Sequence, residues 1–240
     1  MKIENPLKKL SKAEWALWIS SLVAVSVAAA VSFSLFPESI DWLTLAASLV
    51  GVTSLVFLAK ADIWGQILSI AFNITYALAA LNNRFYGETI LYFCLHLPTA
   101  VCTLVVWLRN RFRKEDSVIK IAKTSPVKTL IVCLIGAGVT TGAFFLLKYL
   151  NTDSLVLSTV SVYTSFVAIS LMILRSPYYA LVYAANDIVL IILWTVSAIS
   201  SPANAVMVAC FVAYLANDLY ALYNWRRIRR NQATLNAKSE

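Results

Sequence analysis

Charge is what this sequence lacks most. Asp, Glu, Lys and Arg make up 13% of its 240 residues, against roughly 25% in a soluble domain. That scarcity excludes an ordinary cytosolic enzyme and a disordered tail. Cysteine is rare as well. Cys94, Cys102, Cys133 and Cys210 all sit in apolar runs with no CxxC spacing, which excludes a secreted disulfide scaffold and makes buried reduced thiols the expectation. Histidine is rarer still. The single His96 excludes a multi-histidine metal site and a bis-histidine haem. No GxxxxGK[ST] and no GxSxG is present, so neither a phosphate-cradling loop nor a nucleophile elbow is available.

Apolar mass is abundant. Hydrophobic residues make up 60% of the chain, and mean hydropathy is +0.75. A chain of this size buries only about three quarters of its surface on folding, so much of this apolar surface must face something other than water. An all-α integral membrane protein is expected. Eight runs are long enough to span, at 13–36, 42–59, 63–81, 87–108, 129–149, 154–174, 178–199 and 203–225. Pro37 is expected to end the first, and Asn82-Asn83 the third. Pro177 and Pro202 fall near N1 of the seventh and eighth, where a missing N–H costs little, and Asp41 and Asp153 fall at candidate N-caps. The first run follows a basic segment and contains Ala28-x-Ala30. It exceeds the roughly 7–15 apolar residues of a cleaved signal, so a retained helix is expected.

With eight spans, eighteen of the twenty Lys and Arg fall on one side, and only Arg84 and Lys148 on the other. Both termini are therefore expected to be cytoplasmic. The same segregation accounts for the net charge of +8 without a nucleic-acid partner. The stretch from Arg109 to Lys128 is expected to be a solvated basic loop.

The chain repeats itself. At an offset of 112, Asp41, Leu43, Leu45 and Val50 fall on Asp153, Leu155, Leu157 and Val162. At an offset of 113, Asn73 falls on Asn186. At an offset of 118, Phe93, Leu97, Leu104 and Trp107 fall on Phe211, Leu215, Leu222 and Trp225. Two parallel three-helix repeats are therefore expected, a plan that transporters use with a midplane substrate site. The expected organisation is a cytoplasmic N-terminus and extra helix at 1–40 and a first repeat at 41–108. A basic loop and linker helix follow at 109–152, then a second repeat at 153–225 and a basic tail at 226–240.

Polar groups at membrane depth are the functional signal, because they are costly unless they face a bundle interior. Asn73 has Tyr76 at i+3 in the third span. His96 has Tyr92 at i−4 and Thr99 at i+3 in the fourth. Tyr179, Tyr183, Asn186 and Asp187 share a broad face of the seventh, with Trp194 seven residues beyond Asp187. Tyr214, Asn217 and Asp218 share a face of the eighth, beside Ala221. Amides and carboxylates among aromatic rings suit a polar ligand with a neutral or cationic ring. The plainer alternative is that these groups join helices through interhelical hydrogen bonds. Trp42, Trp107 and Trp225 are expected to be interfacial anchors. No cofactor is expected.

The stretch Trp64-Gly65 through Asn73, Tyr76, Tyr86-Gly87-Glu88, Pro98 and Trp107 resembles the first half of the PnuC family. So does Ser176-Pro177-Tyr178-Tyr179 through Tyr183, Asn186-Asp187 and Trp194, ending in Asn217-Asp218-Leu219-Tyr220 and Asn224-Trp225-Arg226-Arg227. The resemblance covers roughly residues 41–230. It departs at Ala100 and Leu104, where many members carry Gln and an aromatic. It implies a 3+1+3 core like a SWEET-type fold, here preceded by one extra span, in a homotrimer of the bacterial inner membrane. It also implies facilitated diffusion of nicotinamide riboside, trapped afterwards by phosphorylation. Sister branches carry thiamine, riboflavin or deoxyribonucleosides. A transporter, not an enzyme, is expected, and a membrane scaffold is the other class to test.

Overall fold

The computed structural model describes residues 7, 10–35, 42–82, 89, 92–113, 117–149, 151, 154–200 and 205–237. Eight α-helices lie within them: α1 (Lys12–Leu35), α2 (Trp42–Ala59), α3 (Ile63–Asn82), α4 (Leu97–Arg109), α5 (Pro126–Tyr149), α6 (Leu155–Ile173), α7 (Tyr178–Ser200) and α8 (Ala205–Ala237). A π-helical turn, Tyr92–His96, leads into α4. Pro98 accounts for it. Its nitrogen cannot donate to the carbonyl four residues back, and its ring crowds that carbonyl, so the preceding turn widens. The described residues contain no strand. Of two isolated bridges, Asp62 to Val118 fastens the residues after α4 to the α2–α3 turn, and Arg111 to Ile119 joins those residues to one another.

Among the described residues, five segments are long and apolar enough to cross a bilayer: Lys12–Val31, Tyr92–Arg109, Pro126–Tyr149, Leu155–Ile173 and Tyr178–Val196. Leu45–Ala59 and Ile63–Ala79 are apolar but shorter. Many large apolar side chains point outward, among them Val23, Val27 and Val31 on α1 and Leu130, Leu134 and Ile135 on α5. That pattern belongs to a protein solvated by hydrocarbon, where only hydrogen-bonded helices are tolerated.

The chain divides into two compact units, Met1–Lys120 and Ile121–Glu240. In the first, α2 packs on α1 and α3, and α3 packs on the π turn and α4. In the second, α5 to α8 pack in sequential pairs.

One device recurs in both units. The N–H of Asp62 bonds Phe57 O at 3.0 Å while Ala61, at φ 55°, bonds Leu58 O at 2.9 Å. The N–H of Ser176 bonds Leu171 O at 2.9 Å while Arg175, at φ 56°, bonds Met172 O at 3.0 Å. Each is a helix stop of the Schellman type, with a left-handed residue after the cap. Each leads straight into a new N-cap. Asp62 Oδ1 accepts the Trp64 N–H at 3.0 Å, and Ser176 Oγ accepts that of Tyr178 at 3.4 Å. Pro177 thereby stands at N1, as its sequence position indicated.

These matched caps are 114 residues apart, from Asp62 to Ser176, and α3 and α7 run on from them without interruption. Counted from the caps, Asn73 stands level with Asp187, and Phe72 with Asn186. Three expectations are corrected. The eighth helix runs to Ala237, not 225. Loss of apolarity marks where a helix leaves a membrane, but residues 226–237 hold no Gly or Pro to stop it. Trp107 and Trp225 are 0% exposed and serve as packing residues, and only Trp42 of the three is exposed. Of the four free thiols only Cys210 is buried, and Cys94 and Cys102 are exposed, because an apolar run in a membrane protein also supplies the outer surface. Pro37, Asp41, Asn83, Arg84, Tyr86-Gly87-Glu88, Asp153 and Pro202 lie outside the described residues.

Candidate functional site

The first unit holds an aromatic ladder. Tyr76 on α3 and Tyr92 on the π turn have ring centroids 4.3 Å apart. Tyr92 stacks on His96 at 4.7 Å with an interplanar angle of 28°. Phe72 closes the group, 5.6 Å from Tyr76 and edge-on to Tyr92 at 5.9 Å. Asn73 is buried at the same level of α3 and makes no side-chain hydrogen bond among the described residues. The structure therefore brings Tyr76 and His96 together through Tyr92, and adds Phe72. Helical spacing within single helices links Tyr92 to His96 but is silent on the α3 side of the ladder.

The second unit holds the densest set of buried polar groups. Asn186, Asp187, Asn217 and Asp218 are each 5% exposed or less. Asp187 on α7 and Asp218 on α8 are close enough for their carboxyl groups to interact. Oδ2 of Asp187 has no hydrogen-bond partner among the described residues. Asn217 donates from Nδ2 to Ala213 O of its own helix at 2.9 Å. Asn186 is held from α6, where Ser161 Oγ donates to its Oδ1 at 2.9 Å and Thr164 Oγ1 at 2.8 Å.

Tyr179 lies edge-on to Tyr183 at 6.2 Å and to Trp225 at 4.6 Å. Tyr214 contacts Phe211 at 5.7 Å. Trp194 is half-buried and forms no ring contact among the described residues. Ser161 and Thr164 are residues that single-helix reasoning misses. The available signal, a hydroxyl pair at i and i+3, does not stand out, because α6 also carries Ser158, Thr159, Ser165 and Ser170.

Neither unit has Lys or Arg among these groups. Helices α3, α6 and α7 contain none at all, and α8 has none before Arg226. No group of three or more His, Cys, Asp or Glu suited to a metal occurs among the described residues. The chemistry on offer is hydrogen bonding, ring stacking and attraction for positive charge.

Residues 41–227 match the profile of a family described as nicotinamide mononucleotide transporter. The chain belongs to that family. Similar members include the nicotinamide riboside transporter PnuC of Haemophilus influenzae, 27% identical over 88% of this chain and 89% of that one. The protein of the same name from Neisseria mucosa is 24% identical over 89% of this chain and 81% of its own length. The fold is like that of a solved structure described as the vitamin B3 transporter PnuC. The TM-score is 0.71 at 23% identity, covering 93% of this chain and all of that one. The family profile begins after α1, whereas the likeness to the solved structure covers more of the chain than the profile does.

Proposed function

We propose that this chain carries nicotinamide riboside across the bacterial inner membrane by facilitated diffusion. The family name points to a mononucleotide, whereas two similar members are named for the riboside. One observation favours the riboside. The buried polar groups include two carboxyls, and no Lys or Arg stands among them on α3, α6, α7 or the first part of α8. A phosphate dianion placed there would be desolvated beside negative charge with nothing to pair it. A riboside whose ring is a pyridinium cation meets the opposite situation. The unpartnered Oδ2 of Asp187 supports it, and Tyr179 and Tyr183 on the same helix offer ring surface.

In this reading Asn186 and Asn217 read the carboxamide and ribose, Tyr179, Tyr183, Trp194 and Tyr214 supply ring surface, and Asp187 with Asp218 favours the cation. Asn73, Tyr76 and His96 are the binding candidates of the first unit. The triplets α2–α4 and α6–α8 act as two parallel repeats on either side of α5 in sequence, in a 3+1+3 plan, and transport proceeds by alternating access. Both termini are cytoplasmic, in keeping with the segregation of basic residues. The protein assembles as a homotrimer, and a cytoplasmic kinase traps the riboside after entry.

The test is calorimetric titration of the purified protein with nicotinamide riboside, nicotinamide mononucleotide, thiamine and thymidine. Saturable binding of the riboside alone is expected. Binding of thiamine or thymidine alone moves the substrate to a sister branch. Binding of none returns the buried amides to a packing role.

A further inference from the structure

The hydrogen bonds around Asn186 determine which end of its amide faces a ligand. Asn186 is 5% exposed, and two hydroxyls from α6 converge on its Oδ1, Ser161 at 2.9 Å and Thr164 at 2.8 Å. The reverse orientation of the amide is disfavoured. Ser161 Oγ has no other acceptor among the described residues. Its proton would be left without a bond if Nδ2 pointed at it. Thr164 is more permissive. Its one proton is also within reach of Val160 O at 2.9 Å and Ser161 O at 3.1 Å on its own helix. Ser161 therefore sets the orientation, and Thr164 reinforces it.

With Oδ1 occupied, Nδ2 makes no hydrogen bond among the described residues. Asn186 is thus left as a donor only. A donor-only group discriminates poorly among ribose hydroxyls, which both donate and accept. It discriminates sharply for an atom that only accepts, and in a nicotinamide ring system that atom is the carboxamide oxygen.

We propose that Ser161 and Thr164 are positioning residues for substrate selection. They hold the Asn186 amide so that its N–H groups face the carboxamide oxygen of the transported riboside. The proposal rests on the riboside reading of the preceding section. It assigns a role to two α6 residues that lie outside every group singled out in the sequence.

The test uses the full-length protein in detergent, titrated with nicotinamide riboside and with the pyridine riboside that lacks the carboxamide. Wild type is expected to prefer the carboxamide-bearing ligand by about tenfold or more, the scale of one well-made buried hydrogen bond. Ser161→Ala with Thr164→Val is expected to erase most of that preference while binding of the pyridine riboside stays nearly unchanged. Thr164→Ser alone is expected to behave as wild type. Asn186→Asp is the second variant and does not depend on the folding of the double one. It keeps an oxygen for the two hydroxyls but replaces the donor with an acceptor, so the preference is expected to vanish or invert. Equal weakening of both ligands by the double variant, or an unchanged preference in Asn186→Asp, overturns the proposal. A wild type that binds neither riboside overturns the transport reading itself and the proposal with it, an outcome recognisable without any variant.

Discussion

Tyr76 and Tyr92 face each other with ring centroids 4.3 Å apart, one on α3 and the other on the π turn before α4. A π turn inside a helix is a local departure from the best hydrogen-bond geometry, and such departures recur at functional sites. Here it places Tyr92 between Tyr76 and His96. Tyr92→Leu removes the central ring of the ladder while keeping apolar volume. Affinity for nicotinamide riboside is expected to fall about tenfold, the scale of one lost stacking contact of about 0.5–1.5 kcal/mol between Tyr92 and the ligand ring. Tyr92→Phe is expected to stay within a few-fold of wild type. Calorimetric titration of the two variants checks this.

The carboxyl pair gives a further expectation. Asp187→Asn leaves the carboxyl of Asp218 in place, so affinity for the cationic riboside is expected to change only a few-fold. Asp187→Asn with Asp218→Asn removes both carboxyls, and affinity is expected to drop by about tenfold or more, on the order of one unscreened charge pair. Calorimetric titration of the single and double variants checks this, and a single variant as damaging as the double would make Asp187 alone the group that favours the cation.

Glycine substitutions separate close packing from open helix surface. A Cβ at Gly65 would sit 2.5 Å from Leu58 N, a backbone atom that cannot move aside. Gly65→Ala is expected to destabilise by about 1–3 kcal/mol, the range for forced overpacking. A Cβ at Gly138 meets nothing within 4 Å. Gly138→Ala is expected to be neutral or to stabilise by up to about 1 kcal/mol through helix propensity. Thermal unfolding of the two variants in one detergent distinguishes these outcomes.

The first helix is tied to α2 by polar contacts. Ser11 and Glu14 form a reciprocal capping box, with bonds of 2.7 Å and 3.3 Å. Lys60 Nζ lies 3.6 Å from Glu14 Oε2, with both side chains nearly buried. Higher up, Trp18 Nε1 donates to Thr53 Oγ1 at 3.1 Å. Lys60→Met leaves the Glu14 charge without this partner and is expected to cost about 3–5 kcal/mol. Adding Glu14→Gln is expected to restore most of that stability, since the neutral amide still serves the Ser11 cap. Melting temperatures for the two single variants and the double variant measure the coupling.

Much of this protein was legible in its sequence. Scarce charge and eight apolar runs already specified helices in a membrane. The reason is simple: hydrocarbon leaves backbone groups no partner except their own helix. The buried amides and carboxyls were legible for the same reason, because a polar side chain at that depth must turn inward. Tertiary structure decided what helical periodicity cannot carry. It placed similar caps where α3 and α7 start. It sent Trp107 and Trp225 into the interior, and let α8 continue past its apolar stretch. It also brought Asp187 to Asp218, Tyr76 to Tyr92, and the hydroxyls of Ser161 and Thr164 to Asn186. Each of these pairings joins different helices or turns. Periodicity says which face of a helix is special, but only packing says which residue of its neighbour that face meets.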